Sequence, residues 1–108
     1  MAELFHFSDG TFQQDVLASA TPVLVDFTAA WCGPCQLLAP IVEQLAGEWD
    51  GRVKVGSLDI DENEDTTMKY GVIGVPTLML FVNGEAKERL VGFMPKERIV
   101  SKLTPHLN

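Results

Sequence analysis

At 108 residues, 46% of them hydrophobic, the chain is long enough to bury about two-thirds of its unfolded surface around one core, so a single domain over residues 1–108 is expected. Its 15 acidic residues against 8 basic ones leave a formal net charge of −7, which repels phosphate backbones and anionic lipid surfaces and argues against nucleic-acid or membrane partners. Met1 to His6 has no basic start leading into a long apolar run, and no stretch approaches membrane-spanning length, so a cytoplasmic location is expected.

A short apolar stretch from Leu4 to Phe7 precedes Ser8 and Asp9, either of which can cap a helix carrying Phe12, Val16 and Leu17 at helical spacing. Thr21 and Pro22 stop it. Val23 to Thr28 is β-prone and apolar without alternation apart from Asp26, the pattern of a strand covered on both faces, and belongs at the centre of a sheet. From Pro34 to Trp49 a long helix places Leu37, Leu38, Ile41, Val42, Leu45 and Trp49 on one stripe, with Pro34 in the first turn and Pro40 imposing a kink. Arg52 to Leu58 reads as a further strand, followed by an acidic turn and a short helix that Gly71 closes in a left-handed cap. Gly71 to Pro76 is irregular. Thr77 to Val82 and Glu85 to Val91 flank Asn83 and Gly84, which favour positive φ and a tight hairpin. Pro95 starts a last helix with Ile99, Val100 and Leu103 on its apolar side, ended by Pro105. Alternation at first and a hairpin at the end imply an α/β fold with a mixed sheet and helices on both faces.

The chemistry is concentrated after the central strand, where Ala29, Ala30, Trp31, Cys32, Gly33, Pro34 and Cys35 lead into the long helix. Two cysteines so close are poor structural staples, because a disulfide stabilises more the longer the loop it closes. At a helix N-terminus the free amides and the helix dipole favour the Cys32 thiolate, and Cys35, one turn on, lies within reach for a disulfide. One thiol can attack and the other resolve. A zinc site lacks partners: His6 and His106 stand at opposite ends of the chain without finger-like spacing. Inert core thiols are the remaining plain reading. The acidic run Asp59, Asp61, Glu62, Glu64, Asp65 fails as a calcium loop, since Glu64 occupies the place of the turn glycine and Tyr70 that of the final glutamate; it reads as a solvated turn. Met68, Met79 and Met94 read as core filling, and His6 and His106 as surface residues without a role.

WCGPC, Trp31 to Cys35, resembles the active-site motif of the thioredoxin family, and the likeness continues through Asp26 and Phe27, Pro40, Asp61, Gly74 to Leu78, Asn83, Gly84 and Gly92. The resemblance implies a thioredoxin fold, a five-stranded mixed β-sheet flanked by four α-helices. It implies a monomeric protein disulfide reductase without a cofactor of its own, acting on disulfide-containing targets and re-reduced by thioredoxin reductase, a flavin enzyme drawing on NADPH. A dedicated reductant of one enzyme, or a non-catalytic binding subunit, is the alternative reading. Gly33 and Pro34 put no charge between the cysteines; a histidine there would stabilise the thiolate and make an oxidant, so the pair leans toward reduction.

Asp26, in an apolar strand, is expected to titrate high unless paired. The resemblance places it beneath the dithiol as proton acceptor for Cys35, against a plain reading as a hydrogen-bonded structural carboxylate. Where the family commonly has a lysine near this aspartate the chain has Ser57, and Lys54, at an odd offset along the strand, points to the opposite face. Thr28 also departs from the tryptophan of many members. The resemblance makes Pro76 a cis proline facing the cysteines, with Val75 offering backbone groups to an extended substrate. Trp31, Gly33, Pro34, Ile60, Gly74, Val91 and Gly92 complete an apolar docking surface, with a core role equally open for Ile60 and Val91.

Overall fold

The computed structural model describes residues 4–107. Met1 to Glu3, part of the stretch read as free of a leader, and Asn108 lie outside it. Five strands form one sheet in the order β1-β3-β2-β4-β5: β1 Phe5–His6, β2 Val23–Thr28, β3 Lys54–Asp59, β4 Thr77–Val82 and β5 Glu85–Val91. β1 and β2 run parallel to β3, while β4 is antiparallel to β2 and β5. The sheet is therefore mixed, with the unbroken apolar run of β2 at its centre. Among the described residues no helix is long and apolar enough to cross a membrane.

Alternation along β2 divides the core. Leu24 faces a layer built with Leu38, Val42 and Leu45 of α1 (Gly33–Glu48) and Ile99 and Leu103 of α3 (Lys96–Leu103). Val23, Val25 and Phe27 face the other way, onto Phe12, Val16, Val72 and Phe81. Asp26, in step with Leu24, belongs to the α1 face. Gly56 of β3 is required by close approach: a Cβ there would lie 2.5 Å from the Phe5 carbonyl oxygen and 2.6 Å from the Phe7 ring.

Of the five helical segments among the described residues, the last is a 3-10 turn, Thr104–His106, that carries the chain on from Leu103 through Pro105, so Pro105 does not end the helical run. The first also departs from expectation. Gln13–Leu17 is a single π turn, closed by the Ala18 N–H donating to the Gln13 carbonyl at 2.8 Å, and no side chain among the described residues caps it. Asp9 is engaged elsewhere. Its carboxylate accepts the N–H groups of Thr66 at 2.8 Å and Asp65 at 3.3 Å and so caps α2 (Glu64–Lys69) across more than fifty residues of sequence. The hydrogen bonds with Thr66 hold the Asp9 pKa below the usual carboxylate range. At the other end of α2, Gly71 has φ 63°, with Gly71 N–H donating to Met68 and Val72 N–H to Thr67, a Schellman closure as the glycine foretold. Asn83 and Gly84 both have positive φ, 53° and 81°, and turn the hairpin.

α1 runs through Pro40 to Glu48. Its stripe is narrower than the spacing suggests: Leu37 is exposed and Ile41 half-buried, while Leu38, Val42, Leu45 and Trp49 are buried. Met68 is likewise exposed, on the outer side of α2, so core filling accounts for Met79 and the partly buried Met94 but not for it. His106 has a partner, its Nε2 lying 3.1 Å from Glu88 Oε2.

Candidate active site

β2 ends at Thr28, and the chain turns through Ala29 to Trp31 into α1. Cys32 is the N-cap of that helix, in extended conformation at φ −91° and ψ 112°. Pro34 occupies the first turn, where its missing N–H costs no hydrogen bond. Cys32 and Cys35 form a disulfide, with Cα atoms 5.3 Å apart. The Cys35 N–H donates to Cys32 Sγ at 3.2 Å, so the sulfur takes the place a capping oxygen usually fills. On reduction, the same amide and the helix dipole would hold negative charge on Cys32. Both cysteines are almost entirely covered and pack with Ala29, Ile60 and Val75.

The irregular segment predicted between Gly71 and Pro76 delivers Val75 to the disulfide: its carbonyl oxygen lies 3.6 Å from Cys32 Sγ. The Val75–Pro76 peptide bond is cis. Gly92, at φ 90°, donates its N–H to the Pro76 carbonyl at 2.8 Å, which brings the end of β5 alongside. Thr77 Oγ1 donates to the Gly74 carbonyl at 2.6 Å and tightens the same loop. Gly33 and Pro34 are exposed and Gly74 half-exposed beside them.

Trp31 is 69% exposed and so is not a core aromatic. Its indole Nε1–H donates to Asp61 Oδ2 at 2.8 Å. Sequence reasoning missed this partner, because thirty residues separate the two and Asp61 sits in a run that reads as solvated turn. Asp59 organises that turn by accepting the N–H groups of Asp61 at 2.8 Å and Glu62 at 3.2 Å. Val91 is exposed and so not a core residue, whereas Ile60 is partly buried against the disulfide.

Asp26 is 4% exposed, and its Oδ1 has no hydrogen-bond partner among the described residues. Burial alone pushes its pKa up to about 7. The reading of Asp26 as a hydrogen-bonded structural carboxylate therefore fails for that oxygen. The register pairs Asp26 with Ser57 and Ser57 with His6, placing the three on one face of the sheet. A cleft of about 470 Å³, lined by His6, Thr28, Ser57 and Asp59 among others, opens on that side. Ser57 Oγ lies 3.5 Å from His6 Nδ1, so His6 is less idle than its position suggests. Lys54 is on the other face, its Nζ donating to the Asp15 carbonyl at 2.8 Å and lying over the Phe5 ring, and supplies no counter-charge.

Comparison with known proteins agrees with this geometry. The family model described as Thioredoxin matches residues 3–105. The chain is 46% identical over 100 residues to a thioredoxin of Synechocystis, covering 93% of this chain and 94% of that protein. It is 44% identical to a thioredoxin of Pseudomonas aeruginosa, covering 96% of each, and 42% identical to thioredoxin 1 of Nostoc, covering 99% of this chain and all of that one.

Proposed function

The chain belongs to the thioredoxin family and is a thiol–disulfide oxidoreductase that reduces protein disulfides through the Cys32–Cys35 pair, and from that premise we propose the part each residue of the site takes. The Cys32 thiolate attacks one sulfur of a target disulfide. A Cys32–target mixed disulfide forms, and the other target sulfur leaves as thiolate. Cys35 gives its proton to Asp26 and attacks Cys32 Sγ, which expels the second target sulfur and leaves the Cys32–Cys35 disulfide. Two electrons pass to the target. The observation that carries the assignment is the place of Cys32 as N-cap, its sulfur accepting the Cys35 N–H, since a helix terminus stabilises a thiolate there and not one turn inside.

Asp26 suits the acceptor role because it lies on the face covered by α1 and holds a proton far more tightly than an ordinary carboxyl. Trp31, Gly74, Val75, Pro76 and Gly92 form the docking surface, where an extended target segment meets the backbone of Val75. Gly33 and Pro34, adding no charge beside the sulfurs, keep the pair a reductant. Re-reduction falls to thioredoxin reductase, a partner inferred from family resemblance. The chain works as a single domain and a monomer, in the cytoplasm, where thiols are kept reduced.

The test is insulin reduction with dithiothreitol. The chain is expected to hasten precipitation beyond the dithiothreitol control. A rate equal to that control would mark a binding subunit, and slow insulin reduction beside fast reduction of one partner would mark a dedicated reductant.

A further inference from the structure

The surface around the disulfide carries more exposed apolar area than the docking residues alone supply. Ile73 is fully exposed, two residues before Val75. Val91 is 62% and Phe93 45% exposed, on either side of Gly92, whose N–H bonds Pro76. Together with Trp31, next to Cys32 in the chain, they are exposed apolar side chains on the segments that carry the Cys32–Val75 contact. Isolated exposed apolar residues are ordinary, but a set gathered at one reactive bond marks a contact surface.

The charge of the same surface is one-sided. The segments that meet there, residues 29–36, 59–62, 73–77 and 91–95, contain Asp59, Asp61 and Glu62 and no lysine or arginine. Asp61 is exposed and fixed beside Trp31 by the indole hydrogen bond, and Glu62 is exposed next to it. The guanidinium of Arg89, near the start of the loop, is occupied by the carbonyls of Tyr70 and Gly71.

We propose that this chain selects target segments in which the disulfide cysteine is flanked by large apolar side chains, which seat on Ile73, Val91 and Phe93, and by a lysine or arginine, which meets Asp61 beside Trp31. Segments with acidic flanks are disfavoured. The proposal rests on the docking role of Trp31, Val75, Pro76 and Gly92 given above and names the substrate class of that site. Apolar seating supplies affinity by removing surface from water, and the carboxylates supply discrimination and encounter rate.

Three disulfide-linked peptides of equal length decide it, with cysteine flanked by leucine plus lysine, by leucine plus glutamate, or by serine plus lysine. Rate constants for their reduction by the full reduced chain are measured by stopped flow. The leucine–lysine peptide is expected to react about tenfold faster than the serine–lysine one, as partial burial of an apolar side chain allows, and about threefold faster than the leucine–glutamate one, the order of an exposed charge pair. The lysine–glutamate difference should shrink at high salt, as an exposed charge effect must. Ile73→Ser and Phe93→Ser should bring the leucine–lysine rate down toward that of the serine–lysine peptide. Asp61→Asn, which keeps an acceptor for the Trp31 indole, should bring the lysine and glutamate rates together. Equal rates for all three peptides, or rate ratios untouched by these substitutions, would overturn the proposal. A small aromatic disulfide reagent without peptide flanks separates the two readings. If it is reduced while the peptides are not distinguished, only the substrate class is wrong; if nothing is reduced, the reductase role itself fails.

Discussion

Replacing Asp26 by asparagine tests the buried carboxyl through folding stability. In the unfolded chain this carboxyl titrates near 3.8, and in the folded protein burial pushes it to about 7. Between those values the folded state keeps a proton that the unfolded state has released, so stability falls as pH rises through this window and the loss is complete above the folded pKa. Below both values the group costs nothing. About three pH units at 1.36 kcal/mol each give a penalty of about 4 kcal/mol at pH 8. Asp26→Asn removes the ionisation and with it the penalty. The amide brings its own cost, of about 1–3 kcal/mol if its N–H groups go unpaired, so the net gain at pH 8 is smaller. That cost does not vary with pH. The quantity to measure is therefore the stability difference between Asp26→Asn and wild type at pH 8 minus that at pH 4, by urea unfolding of the oxidised proteins, in which neither thiol titrates. A value of about 4 kcal/mol is expected from the same shift. Parallel stability curves for the two proteins across this range would refute the reasoning.

Other substitutions probe separate links. Ser57→Lys places a cation on the Asp26 face and should draw the Asp26 pKa down from about 7 toward the ordinary carboxylate range; carbon-13 NMR titration reads it, and an unmoved value would show that position 57 does not govern the group. Cys32→Ser should abolish reduction, whereas Cys35→Ser should attack once and stall as a mixed disulfide visible by mass spectrometry; alkylation of Cys35 ahead of Cys32 in the reduced protein at mildly acidic pH would reverse the assignment. Asp9→Ala removes the acceptor at the start of α2 and should lower Tm near neutral pH. Because a depressed carboxylate pKa stabilises the fold above its unfolded value and ceases to do so as pH falls through the folded one, the Tm difference should vanish on acidification. A difference that persists in acid would assign the loss to packing. Gly56→Ala sets a Cβ against Phe5 and Phe7 and should cost about 1–3 kcal/mol, as overpacking does; hydrogen exchange at the Phe7 amide, which bonds Ser57, should quicken, and unchanged protection would argue against a clash.

Sequence alone carries far where the physics is local. Glycine and asparagine at Asn83–Gly84 and Gly71 stand where positive φ is needed, a proline starts α1, and an apolar run without alternation makes β2 central. The redox pair was legible for the same reason, since a CxxC between a buried strand and a long helix defines its own terminus and spacing. So was the burial of Asp26, a single carboxylate in a strand otherwise apolar. Tertiary structure decided what depends on partners distant in the chain. Asp9, a natural cap for the helix next to it, caps α2 instead, because β1 and the loop after it bring it against Asp65 and Thr66. Trp31 gained Asp61 only because the loops after β2 and β3, parallel neighbours, emerge at the same end of the sheet. Which face of a helix is covered is likewise set by the layer it meets: Leu37 and Met68 share the character of buried neighbours but extend beyond the reach of the sheet, and so remain in solvent. Local spacing records the preferences of a few successive residues, whereas these contacts are fixed by how strands order themselves in the sheet.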